Sequence, residues 1–316
     1  MKQLLTLGAD PNQPSDKSLC LVRAIEHGNI ELATLLLDAG ADINASIPHK
    51  PSALMAACRA GNRALVEFLL GCGADIKLWV AEEGDALQAA TRGGHEDIVR
   101  LLLDRGADPK AREGRYGSCI ECAISAKNMS LVLLLLDVGA NVNYSGTLAD
   151  LEEFSGGFGS PLSGSLWSKQ EGLTRLLLER GANPNWPGRS WYGTALEEAI
   201  EGDDEEAVHL LLEYGADVNQ VAGNQGCALV CAINARKDGE GGDKYIRILL
   251  DRGADVNLCT GRQYATALNV SCVFEPRTWK DTDVGVEAAV RGGHIDTVQL
   301  LLDFGADIKK TGGHFA

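Results

Sequence analysis

Two cysteine pairs are the residues best spaced for chemistry. Cys119 and Cys122 stand three positions apart and Cys227 and Cys231 four, so each pair falls on one face of a helix. Two thiolates so placed could hold a soft metal ion. A structural zinc site, however, needs a second pair of ligands at suitable spacing, and the surrounding sequence supplies none. The chain has nine cysteines, an odd number, spread along it with no disulfide framework. They are expected to be reduced, metal-free thiols packing as small apolar groups. Neither a Gly-x-Ser-x-Gly elbow nor a His-Glu-x-x-His pair occurs, and the six histidines are scattered. The sequence therefore predicts no catalytic residues, no metal and no cofactor.

Recognition remains, and two features carry it. From Glu197 to Asp217 the chain has nine Asp or Glu and no Lys or Arg. Glu197, Glu198, Glu201, Asp203, Asp204, Glu205 and Glu206 crowd around one helix turn, either as a solvated face or as a dock for a basic segment. The second feature is aromatic. Trp186, Trp191 and Tyr192 share one short segment with Arg189, and Tyr116, Phe158, Tyr192 and Tyr264 each stand two residues before a Ser or Thr. Such rings either brace a neighbouring loop or anchor a partner, since Trp, Tyr and Arg dominate interface hot spots.

The elements that must position these residues are set by a recurring phrase, Gly-Ala-Asp/Asn-x-Asn/Lys. It opens at Gly8, Gly40, Gly73, Gly106, Gly139, Gly181, Gly215, Gly253 and Gly305, at steps of 32, 33, 33, 33, 42, 34, 38 and 52 residues. A return every 33 residues means a stack of small units that bury their apolar faces against one another. The clearest copy runs from Asp85 to Asp108. Asp85 suits an N-cap, Leu87 and Ala90 give a thin apolar face, and Gly93-Gly94 stops the first helix. His95 opens a second helix with a broad face of Ile98, Val99, Leu101, Leu102 and Leu103, and Gly106 ends it.

This unit resembles the ankyrin repeat, whose pattern Thr-Pro-Leu-His-x-Ala-Ala-x-x-Gly-His, then Val-x-Leu-Leu-Leu-x-x-Gly-Ala-Asp, can be followed through almost the whole chain. The first-helix motif appears at 52–57, 160–162, 194–196 and 266–268, and the apolar triplet at 35–37, 68–70, 176–178, 210–212, 248–250 and 300–302. The wording also resembles the long ankyrin arrays of filamentous fungi. The pattern's first His is absent; Met55, Gln88, Glu121, Ser163, Glu197, Val230 and Asn269 replace it, so its hydrogen bonds between units cannot be carried over. His95 and His294 match the pattern's second His and are expected to be structural.

The resemblance implies an all-α ankyrin-repeat solenoid of stacked helix pairs with short β-hairpin finger loops. Its boundaries read as a truncated repeat over 1–12 and repeats over 13–44, 45–77, 78–110 and 111–143. A repeat with a finger insertion follows over 144–185, then one over 186–219 and one with an inter-helix insertion over 220–257. The last, 258–309, holds a long insertion or an extra partial repeat, and 310–316 is a tail. The polar stretch Lys237–Lys244 reads as a solvated loop between helices, without the Gly-Lys-Ser/Thr ending of a phosphate loop.

A net charge of −15 disfavours direct contact with nucleic-acid phosphates, and no apolar run approaches the length of a membrane span. The family implies a concave groove of fingers and first helices that binds another protein. The expected function is a non-catalytic interaction scaffold, monomeric, cytoplasmic or nuclear, with a partner engaged through a basic segment. A nuclear transcription co-regulator acting through a bound transcription factor is one alternative, and the targeting part of an enzyme whose catalytic domain lies elsewhere is another.

Overall fold

The computed structural model describes residues 9–14, 18–80, 83–110, 117–143, 159–170, 172–186, 193–222, 227–235, 241–258 and 295–307. The chain divides into two compact units, Met1–Leu173 and Thr174–Ala316. In the first, helices α1 (Cys20–Glu26), α3 (Ala53–Arg59), α5 (Ala86–Arg92), α7 (Cys119–Ser125) and α9 (Pro161–Ser168) pack in sequence, each against the next. Each of the first four is paired with the helix that follows it: α2 (Ile30–Asp38), α4 (Arg63–Gly71), α6 (Glu96–Asp104) and α8 (Met129–Asp137). Helix α10 (Leu173–Glu179) begins where the division falls. In the second unit α11 (Ala195–Glu201) packs on α12 (Glu205–Glu213) and on α13 (Ala228–Ala235), which packs on α14 (Gly241–Asp251); α15 is Ile295–Asp303.

Short helices of this kind are marginal alone and depend on caps and packing. Ser52, Asp85, Ser118, Ser160 and Thr194 each accept the backbone N–H three residues on, at 3.3, 2.8, 3.3, 3.0 and 3.3 Å. Asn29, Asn62, Asn128 and Asp204 do the same for the second helices. Between the layers Leu36, Leu65, Leu69, Leu87, Ile98, Leu102, Ile120, Ile124 and Leu131 are fully buried.

The recurring phrase has a physical meaning at every position. Its glycine takes φ between 84° and 91° in all eight described copies, which only glycine adopts without strain. The alanine N–H then reaches back to close the helix, as Ala41 does to Leu36 O at 2.9 Å. The Asp carboxylate accepts the N–H two residues on, as Asp42 does from Asn44 at 2.9 Å. The final Asn joins one unit to the next. Asn12 donates to Gly40 O at 3.0 Å and accepts the Asp42 N–H at 2.7 Å. Asn185 and Asn219 repeat the same two bonds to Gly215 and Asp217, and to Gly253 and Asp255, within the second unit.

The finger loops are represented among the described residues by one antiparallel bridge with both partners described, Val80 with Gly84. The reading of Lys237–Lys244 as a solvated loop needs correction at its end. Gly241 already begins α14, which runs 11 residues where the second helices of the first unit run 9. The two added residues, Gly241 and Gly242, lie at its start, and its first turn places Lys244 and Tyr245 against Asp203 of the preceding helix pair.

Candidate functional site

The pattern's missing histidine is replaced by a capping function. Gln88 Oε1 accepts the Asp85 N–H at 3.2 Å, Glu121 Oε2 accepts Ser118 N–H at 2.8 Å, and Glu197 Oε2 accepts Thr194 N–H at 3.2 Å. With the cap bonds already described, these form reciprocal capping boxes. Met55 takes the same place through its thioether, 3.4 Å from Ser52 N. Gln88 also donates to Gly117 O at 3.4 Å, tying α5 to the unit beyond. His95 bonds Arg59 O at 3.1 Å through Nε2, which bears out its structural reading; His294 lies outside the described residues.

The acidic run separates into buried and exposed parts. Glu197 and Glu198 on α11 are 0% and 5% exposed, so these two are not a solvated face. Burial pushes the Glu197 carboxyl up to about 9, against the stabilising Thr194 N–H, and the Glu198 charge adds to the rise. Cys231 on α13 lies against the same helix, its Sγ 3.6 Å from Glu197 O and 4.0 Å from Glu201 Oε2. Beyond the helix end, Asp203 accepts from the Tyr245 hydroxyl at 2.8 Å and from Lys244 Nζ at 3.0 Å. Lys244 also reaches Glu205 at 3.3 Å and lies 4.7 Å from the Tyr245 ring centre. The Tyr245 bond, then Lys244, holds the Asp203 carboxyl below its usual range; burial, then Asp203, raises the Tyr245 phenol to about 12. Asp204 is the N-cap of α12, accepting Ala207 N–H at 2.9 Å. Much of this acidic group therefore has a partner within the chain, while Glu201, Asp203, Asp204 and Glu205 remain on the surface.

Of the aromatic candidates, Trp186 is half-buried, with its backbone N–H on Asn183 O at 3.2 Å. Arg189, Trp191, Tyr192, Tyr116, Phe158 and Tyr264 lie outside the described residues. One aromatic was missed. Trp167, on α9, is 58% exposed, the largest value among the described large hydrophobic residues. It holds the seventh place after the N-cap, where Arg59, Arg92, Ser125 and Glu201 stand on their own first helices. The signal was there: an indole in a row of otherwise polar residues.

Cys58, Cys119, Cys122, Cys227 and Cys231 are buried in first helices or at their caps. Burial, with Asp85 close by, lifts the Cys58 thiol to about 12, so it is a packing group and not a nucleophile. Among the described residues no group of His, Cys, Asp and Glu could hold a metal ion, and no helix is long and apolar enough to cross a membrane.

A family model of ankyrin repeats in three copies matches residues 1–79 and 54–146, and a single ankyrin repeat model matches 193–222 and 287–312. No curated protein matches the sequence significantly. Among solved structures, the human ASB11 ankyrin repeat domain is similar at 24% identity and a TM-score of 0.54, covering 74% of this chain and 98% of that one. The ankyrin repeat domain of Bcl-3, a member of the IkappaB protein family, is similar at 22% identity and a TM-score of 0.55, covering 74% and 99%. These likenesses show the fold: an all-α ankyrin solenoid.

Proposed function

The chain belongs to the ankyrin repeat family, and from that premise we propose that it is a non-catalytic scaffold that binds a protein partner through its first helices and fingers. Ankyrin repeats mediate protein–protein interaction, and one observation supports that use here. Helix caps and Asn bonds recur along the units, while the seventh position of the first helix, exposed except at the half-buried Arg92, changes from Arg59 and Arg92 to Ser125, Trp167 and Glu201. A fixed frame with a variable face is what recognition requires, and a catalytic reading has no comparable support.

The finger holding Trp186, Arg189, Trp191 and Tyr192 is the proposed hot spot, with Tyr116, Phe158 and Tyr264 at the corresponding place in other fingers. Glu201, Asp203, Asp204 and Glu205 are proposed to contribute charge toward a basic segment of the partner. Affinity capture on the full chain, analysed by mass spectrometry, tests the reading when run beside a Trp191→Ala chain. Proteins retained by the first and lost by the second support it. Failure to retain any protein specifically would count against it.

A further inference from the structure

In the turn between the two helices of a unit, the ninth residue after the N-cap takes a left-handed conformation. Gly28, Gly61 and Gly94 fill it at φ 69°, 72° and 75°, as chain chemistry favours. Lys127, Lys169 and Asp203 fill it at φ 53°, 50° and 52°, a conformation that costs a residue with a Cβ. For Asp203 the structure supplies a reason, since its carboxylate receives Tyr245 and Lys244. Nothing comparable holds the two lysines: both are exposed, and neither has an ion-pair partner among the described residues.

The two lysines end neighbouring helices. Lys127 follows α7 and Lys169 follows α9, and α7 packs on α9. Trp167 stands two residues before Lys169 and is 58% exposed. The residue at its place on α7 is Ser125, too small to cover an indole. The turn needs the left-handed backbone but not a lysine, so a lysine kept where glycine is less strained points to a role outside the turn. The favourable effect of a cation at a helix end would apply equally on α3 and α5, which have glycine in that turn.

We propose that Trp167, Lys127 and Lys169 form a docking patch for an acidic protein segment, with an apolar side chain seated on the indole and carboxylates on the two ammonium groups. This rests on the protein-binding reading above and names the chemistry of a partner segment. A peptide fits better than a nucleic acid, because a chain of net charge −15 repels a long phosphate backbone while two cations at short range still attract a few carboxylates.

A random twelve-residue peptide library displayed on phage, selected on the full chain at low salt, tests this. The recovered peptides should combine Asp or Glu with an apolar residue, and Trp167→Ala should weaken them roughly tenfold or more. Lys127→Gly and Lys169→Gly carry the sharper readout: binding should fall while the melting temperature rises, because glycine relieves the turn. Peptides that bind all three variants like the parent would overturn the patch while leaving the scaffold reading intact. Peptides that depend on Trp167 yet carry no acidic residue, or displacement of the Trp167-dependent peptides by single-stranded oligothymidylate, would overturn it as well. Recovery of no binder at all would count against the patch and the scaffold together.

Discussion

Asn257 donates its side-chain amide to the carbonyl of Gly305 at 3.0 Å, across 48 residues of chain. Its oxygen accepts the Asp307 N–H at 2.8 Å. These are the bonds that Asn219 makes to Gly253 and Asp255 only 34 and 36 residues on. The phrases at Gly253 and Gly305 are therefore joined as neighbours, whatever length of chain runs between them. The last residue of the phrase is thus an adhesive between units.

Lys77, Lys110 and Lys309 take that place in three copies of the phrase. An ammonium donates but cannot accept the next unit's N–H. Lys77→Asn should therefore raise stability by roughly 0.5–1 kcal/mol, and Asn219→Ala should lower it by a similar amount. Denaturant midpoints of the two variants check this. A loss of stability in Lys77→Asn would mean that the lysine itself contributes.

The buried carboxyls predict a pH dependence of definite sign. Glu197 titrates near 9 in the fold against 4.5 as its ordinary value, so the folded chain holds the extra proton. Its contribution is complete below about 4.5 and is lost as pH rises toward about 9. Asp85, raised by burial to about 6, acts the same way over a lower and narrower range. Glu197→Gln keeps an oxygen for the Thr194 N–H and removes the charge. Melting temperatures between pH 5 and 8.5 should show the variant gaining on the parent as pH rises. A constant difference would place the Glu197 charge in water.

Tyr245 is 1% exposed, yet its hydroxyl reaches Asp203. Tyr245→Phe keeps the buried ring and removes only that bond, so the expected cost is about 1 kcal/mol. The Asp203 carboxyl should then move back up toward its ordinary range, which carboxylate NMR titration can follow. An unchanged Asp203 would assign its low value to Lys244 alone.

The repeating frame was legible because glycine at the helix end, alanine under it and a carboxylate beyond it each meet a backbone demand that recurs unit by unit. The capping role of Gln88, Glu121 and Glu197 was not. A Glu three residues after a Thr signals a capping box, but the run of acids around Glu197 suggested solvent and hid it. That Glu197 and Glu198 are buried depends on how the helices pack around α11, which the spacing of charges does not encode. The helical start before Lys244 was not legible because the glycines preceding it read as a loop, and only the burial of Tyr245 fixes that helix. Trp167 was legible as a tryptophan among polar first-helix positions, but its exposure depends on the small Ser125 at the same place on the neighbouring helix. The aromatic finger itself lies largely outside the described residues, so its role rests on composition.

The most direct test of the scaffold account is a paired measurement on Trp191→Ala: affinity for a captured partner, and the unfolding midpoint of the isolated chain. A recognition anchor on a frame held together elsewhere should lose about 2 kcal/mol of binding, roughly thirtyfold, with the midpoint unchanged. A lowered midpoint with unaltered affinity of the folded chain would make Trp191 a brace between fingers and contradict the account.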